Sequence, residues 1–165
     1  MRLLSYFLLL AFGGTVSVTS VGVPSREFTV HSIGWVKKAQ GKTTIVLDKK
    51  YQPGLQGLDG FSHVYVLYWF DRNDNPEKRS VLQVHPRGNK QNPLTGVFAT
   101  RSPARPNLIA LSLCKIIEIK DNVIEIENID ALPDTPVLDL KPFISQFESK
   151  NAVVPEWLRS GTKKR

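Results

Sequence analysis

The sequence predicts a single compact all-β domain, and three observations lead there. After Phe28, apolar residues recur mostly with a period of two rather than 3.6. The runs that carry this period are rich in β-branched and aromatic side chains, which suit a pleated, half-buried surface. Clusters of Gly, Pro, Asn and Asp separate them, as turns require.

Taken in order, the first segment differs in kind from the rest. Met1 and Arg2 supply a positive end, residues 3–12 an apolar run, and residues 13–20 a small-residue stretch in which Val18-x-Ser20 suits a signal peptidase. This reads as a signal peptide over 1–20, cleaved after Ser20, which implies the secretory pathway or secretion; a misassigned start would instead allow an organellar or cytoplasmic destination. The apolar run falls short of the roughly 20 residues that a helical membrane span needs, so no stable span is expected after cleavage. Strands are expected over 28–36, 43–47, 64–70, 81–85, 109–119 and 123–126. The clearest hairpin is 115–128, where a two-residue turn at Asp121-Asn122 would set Ile119 opposite Ile124 and Ile117 opposite Ile126, all four on the core face. The same register opposes Glu118 to Glu125, a repulsion for a neighbouring Lys to relieve. Residues 144–158 have a partial helical pattern that Pro155 interrupts. The domain accordingly runs over 26–150, with a basic tail over 151–165.

Composition narrows the function classes. With 22 Lys+Arg against 15 Asp+Glu, the net charge of +7 suits a polyanionic partner. One cysteine, Cys114, excludes an intramolecular disulfide, and its apolar surroundings suggest an inert buried thiol. The Cys/His pairs of a structural zinc site are missing, and His31, His63 and His85 are scattered among strands as structural histidines, so no metal is expected. Gly54, Gly57 and Gly60 precede a strand rather than a helix, which makes them turn residues and not a dinucleotide cradle. Motifs of P-loop enzymes, α/β-hydrolases and zincins do not occur.

The long polar loop over 86–107 carries Arg87, Lys90, Arg101 and Arg105 without an acid. Within it, Gly96-Val97-Phe98-Ala99-Thr100-Arg101-Ser102-Pro103-Ala104-Arg105-Pro106-Asn107 presents two Arg four residues apart on a Pro-stiffened backbone. Such a pair can grip a carboxylate or phosphate, or serve equally well in a structural salt bridge.

That stretch closely resembles the signature of the TsaA-like family, which includes the TrmO tRNA methyltransferases. Three further segments match in family order: Gly57-Leu58-Asp59-Gly60-Phe61-Ser62-His63, His85-Pro86-Arg87-Gly88, and Asp134-Thr135-Pro136-Val137-Leu138-Asp139-Leu140-Lys141-Pro142-Phe143. The resemblance implies a β-barrel that forms a homodimer, binds S-adenosyl-L-methionine near the subunit interface, and methylates the exocyclic N6 of threonylcarbamoyl-adenosine beside the tRNA anticodon. By position it assigns cofactor contacts to Arg101, Leu111, Asp71, Arg72 and the loop Ile129, Asp130, Ala131 and Leu132. Arg87 and Arg105 are left to tRNA phosphates or to loop structure, and no catalytic base is singled out. The chain departs from the family pattern at Leu108-Ile109-Ala110, at Asp71-Arg72, and in lacking a Pro-Arg-Gln-Pro-Gly-type loop after the first strand. The competing reading is a non-catalytic secreted relative that keeps the barrel as a binding module.

Overall fold

A computed structural model describes residues 26–149 and 151–159. The expected signal peptide and the terminal Lys163-Lys164-Arg165 lie outside the described residues. Eight strands appear in chain order: β1 (Gly34–Ala39), β2 (Lys42–Leu47), β3 (His63–Trp69), β4 (Gln83–Val84), β5 (Thr95–Gly96), β6 (Ile109–Lys120), β7 (Val123–Ile126) and β8 (Pro136–Pro142). Six of them close an antiparallel barrel in the order β1-β2-β7-β6-β3-β8, with β8 returning to β1, while β4 and β5 form a separate ribbon. Closure removes the open edges that an isolated sheet would expose.

Alternation fills the barrel. In β3 every second residue, Val64, Val66 and Tyr68, is buried, and these meet Val36, Ile45, Ile124, Ile126 and Val137 from the surrounding strands. Gly34 is required where β1 crosses β2, because a Cβ there would lie 2.7 Å from the Leu47 Cα. The β1–β2 hairpin turns through Gln40 and Gly41, both at positive φ (52° and 75°), the backbone that a tight two-residue turn needs.

Several expectations are corrected. The first strand was expected over 28–36, but Phe28 and Val30 are 84% and 59% exposed and β1 begins at Gly34, continuing to Ala39. Hairpin closure with β2, rather than the apolar content of 28–33, decides the boundary. The strand expected over 81–85 contracts to Gln83–Val84. The β6–β7 hairpin sets Ile119 opposite Ile124 as expected, yet Ile116 rather than Ile117 faces Ile126, because a bulge lies between Ile116 and Glu118. Inward positions of β6 are even-numbered at Ala110 and Cys114. Without the bulge that parity would turn Glu118 into the barrel. The extra residue restores Ile119 to the inside and leaves Ile117 half-exposed. Glu118 does oppose Glu125, and Lys42 relieves the pair by donating to Glu125 at 2.7 Å. Strand β8, built on the Thr-Pro-Val element, had no strand signal because prolines stand at both its ends.

His63 packs edge-on against Phe143 at 6.0 Å, and the His85 Nδ1 bonds the Asn92 carbonyl at 2.8 Å. Cys114 is 1% exposed, and burial pushes its thiol up to about 11. Among the described residues no helix is long and apolar enough to cross a membrane. Among the described residues, the tail contains a short helix, α2 (Glu156–Arg159), after Pro155; the other short helix, α1 (Pro76–Arg79), sits between β3 and β4.

Candidate functional site

The antiparallel register of β3 and β6 sets Trp69 opposite Ile109, so the end of one strand and the start of the other share one end of the barrel. The β3–β8 pairing brings Val137 beside Tyr68 at that end, and with it the segment that precedes β8. A cleft of about 690 Å3 opens there, within the size range of sites that bind small organic ligands. Its floor is the start of β6, from Ile109 to Ser112, together with Tyr68 and Phe70. Asp71 and Arg72 form one wall, Arg101, Pro103 and Arg105 a second, and Asp130, Ala131 and Leu132 a third.

The third wall is fixed by its carbonyls. Lys38 Nζ donates to the Ile129 carbonyl at 3.1 Å, the Tyr68 hydroxyl to that of Asp130 at 2.6 Å, and Arg72 to that of Pro133 at 3.1 Å. Three side chains from β1, β3 and the turn after β3 thus hold one loop, which leaves little backbone freedom to lose on binding. Burial, as the main cause, raises the Tyr68 phenol above its ordinary range, so it remains a proton donor through neutral pH.

The Arg101 wall is also built from within. Thr100 Oγ1 donates to the Val97 carbonyl at 3.0 Å and accepts from Ser102 N at 3.2 Å, while Ser102 Oγ accepts from Ala104 N at 3.3 Å. Arg105 leans back on the same loop, its guanidinium 3.4 Å from the Thr100 carbonyl. Arg79 braces the far end by donating to the Pro106 carbonyl at 3.1 Å and to Asp74 at 2.7 Å. Arg101 itself is exposed, and among the described residues its guanidinium makes no hydrogen bond or ion pair within the chain. The loop therefore spends its internal bonds on fixing the backbone and leaves the Arg101 fork directed at the cleft.

Of the eight residues expected at a cofactor, seven line this one cleft: Asp71, Arg72, Arg101, Leu111, Asp130, Ala131 and Leu132. Ile129 does not. Its side chain is 4% exposed in the core, and it serves the site through its carbonyl. Arg105 is at the cleft and Arg87 is at a neighbouring one. Sequence reasoning missed Lys38, Tyr68 and Ser112 as site residues. All three belong to strands, and nothing local distinguishes them from ordinary strand residues. The mixture of carboxylates, guanidinium groups and apolar floor fits a ligand that combines charged groups of both signs with a flat apolar ring.

A profile of the tRNA-methyltransferase O N-terminal domain matches residues 32–149. This chain belongs to that family. It is 45% identical over 116 residues to a probable S-adenosyl-L-methionine-binding protein of Methanocaldococcus jannaschii, a match that covers 70% of this chain and 92% of the relative. Against a human tRNA (adenine(37)-N6)-methyltransferase it is 42% identical over 100 residues, 61% of this chain but 22% of that protein. A crystal structure of TrmO from Pseudomonas aeruginosa superposes with a TM-score of 0.61 at 24% identity, covering 78% of this chain and 62% of the other. Another TrmO structure gives 0.63 at 26% identity, with 80% and 64% covered. The chain thus spans most of the archaeal relative but less than two thirds of the solved TrmO chains. The expected all-β barrel and family are both borne out.

Proposed function

We infer that this chain is an S-adenosyl-L-methionine-dependent methyltransferase acting on the exocyclic N6 of the threonylcarbamoyl-adenosine beside the tRNA anticodon. The observation that carries this reading is the convergence of Asp71, Arg72, Arg101, Asp130, Ala131 and Leu132, from segments far apart in sequence, on one cleft in a chain of this family. Archaeal relatives named for binding S-adenosylmethionine and mammalian relatives named as tRNA methyltransferases support it, and nothing among them favours a secreted binding module.

The cofactor supplies an electrophilic methyl group on a sulfonium. The chain's residues do the rest. Arg101 would offer a planar fork to the cofactor carboxylate, Asp71 and Asp130 would accept from its ammonium or ribose hydroxyls, and the Ile109-to-Leu111 floor with Leu132 would take its purine. The fixed 129–133 loop aligns these groups in advance, and such alignment lowers the barrier to a displacement of this kind.

The expected homodimer is part of this proposal. On the outside of the barrel, Ile109, Leu111 and Leu113 are 43%, 42% and 45% exposed beside Leu67 and Tyr65, with no formal charge among them. An apolar face of this kind, where β3 pairs β6, suits a second copy as its occupant. Secretory targeting through residues 1–20 also remains a proposal; N-terminal sequencing of the mature protein tests it, and an intact Met1 would overturn it.

Isothermal titration of the purified chain with S-adenosylmethionine, followed by methyl transfer to tRNA, tests the whole reading. Micromolar binding with transfer supports it. No binding at millimolar cofactor would overturn it.

A further inference from the structure

A second cleft, about 1120 Å3, adjoins the first, and the two share Thr100, Arg101, Pro103 and Asp130 as a common wall. Its other sides bring Arg87 and Lys90 together with Phe98 and Trp157. Arg87, Lys90 and Arg101 put three cationic side chains in its lining. Phe98 is 78% exposed among the described residues, an apolar ring mostly uncovered by them.

The basic side is a built feature. Arg87 has φ 60° and ψ 19°, a left-handed backbone that costs a non-glycine residue free energy, and Gly88 follows at φ 67°. Among the bonds that hold the loop in that shape are His85 Nδ1 with the Asn92 carbonyl at 2.8 Å and Asn92 Nδ2 donating to the Pro86 carbonyl at 2.9 Å. The expense of the strained residue and the bonds that maintain it make sense where Arg87 must meet a ligand.

We propose that this second cleft receives the acceptor nucleotide of the RNA, turned out of its stack, with its base on Phe98 and its flanking phosphate between Arg87 and Lys90. The proposal rests on the methyltransferase reading and deepens it. A reacting nitrogen must come within roughly 3 to 3.5 Å of the group it attacks, so the acceptor needs a cavity that touches the donor's, and the Arg101–Asp130 wall supplies that contact. A base inside a stack cannot enter such a cavity, and enzymes that act on a base take it out. Sequence-tolerant stacking on an aromatic ring beside a basic groove is the general means of holding an unstacked base.

The test is a cycle of RNA affinities measured without cofactor. The full chain, wild type or Phe98→Ala, is titrated with an anticodon stem-loop RNA carrying either adenosine or an abasic site beside the anticodon. Removing the base should weaken wild-type binding by about 5- to 150-fold, the range for one base–aromatic stack, and should cost Phe98→Ala nothing further. Arg87→Gln should lower the steepness of the salt dependence by about 0.7 in log-log slope. S-adenosylmethionine affinity should stay constant in both variants, while KM for tRNA rises. If base removal and Phe98→Ala weaken binding additively, or neither does, or polyglutamate competes as well as RNA, the acceptor site is wrong. If the chain binds no S-adenosylmethionine yet the cycle closes as expected, the cofactor assignment falls and the nucleotide site stands.

Discussion

The two halves of β6 use one strand in unlike ways. From Ile109 to Leu113 the outward side chains are apolar and nearly half exposed, and this half pairs with β3 and floors the cleft. From Lys115 onward the exposed positions are Lys115, Ile117, Glu118 and Lys120, and from Ile116 this half pairs with β7 and closes the barrel. Burial explains the inward residues of both halves. It does not explain the leucines of the first, which face out of the barrel as the charges of the second do. Apart from Ile117, the exposed residues of the second half are charged, whereas those of the first are apolar, and the proposed dimer face rests on that contrast.

The largest expected effect breaks the second half. Ile124→Ala removes a fully buried side chain that Ile119 faces across the hairpin, and should cost about 2 to 5 kcal/mol of stability in denaturant unfolding. Under conditions where the variant remains folded, its cofactor affinity should equal that of the wild type. An altered affinity would mean that the two halves are coupled.

Next in size is the site end. Arg101→Ala should raise the S-adenosylmethionine dissociation constant by about 10- to 150-fold, the loss of one charge-assisted hydrogen bond of roughly 1.5 to 3 kcal/mol. Circular dichroism and the unfolding midpoint should not move, and Arg101→Lys should restore only part because an ammonium lacks the planar fork. Equal binding by Arg101→Ala would remove Arg101 from the cofactor site.

Leu113→Glu sharpens the comparison from outside. With 45% of Leu113 already exposed, monomer stability should change by only about 0.5 kcal/mol or less, whereas sedimentation should show a dimer weakened by about tenfold or more. An unchanged oligomeric state would leave the first half's leucines without an interface.

The smallest effect concerns Cys114, at the boundary between the halves. Its folded thiol stands at about 11 against an ordinary value of 9.0, so as pH rises above 9 the unfolded chain releases its proton first. Stability in place below pH 9 should therefore decline toward pH 11, and Cys114→Ala should lessen that decline. In the native state the thiol should stay silent to an aromatic disulfide reagent at pH 8 and react on unfolding. Rapid native reaction would contradict its burial.

Period-two patterning made β2, β3, β6 and β7 legible, and the Asp121-Asn122 turn was readable from its residues. Phe28 and Val30 misled because apolar, β-favouring residues look the same whether or not a partner strand exists for them. Prolines hid β8. At the site, the chemistry-bearing residues were legible through the family signature, since Arg101, Asp71 and Asp130 lie in loops where polar residues stand out. Tyr68 and Lys38 were not, because in a strand a tyrosine or lysine has the same local context whether it packs, solvates or pins a loop carbonyl.

By itself the sequence determined that β2, β3, β6 and β7 are strands, where the β6–β7 hairpin turns and which loop carries the guanidinium groups, since these follow from interactions within a few residues. Tertiary structure alone decided that β8 returns to β1, that a bulge re-aims Ile119 inward and Glu118 outward, and that Asp71, Arg101 and Asp130 share one cleft. The physical reason is that alternation assigns a residue to one of two faces, whereas only ring closure and register decide which strands are neighbours and which face turns toward the core.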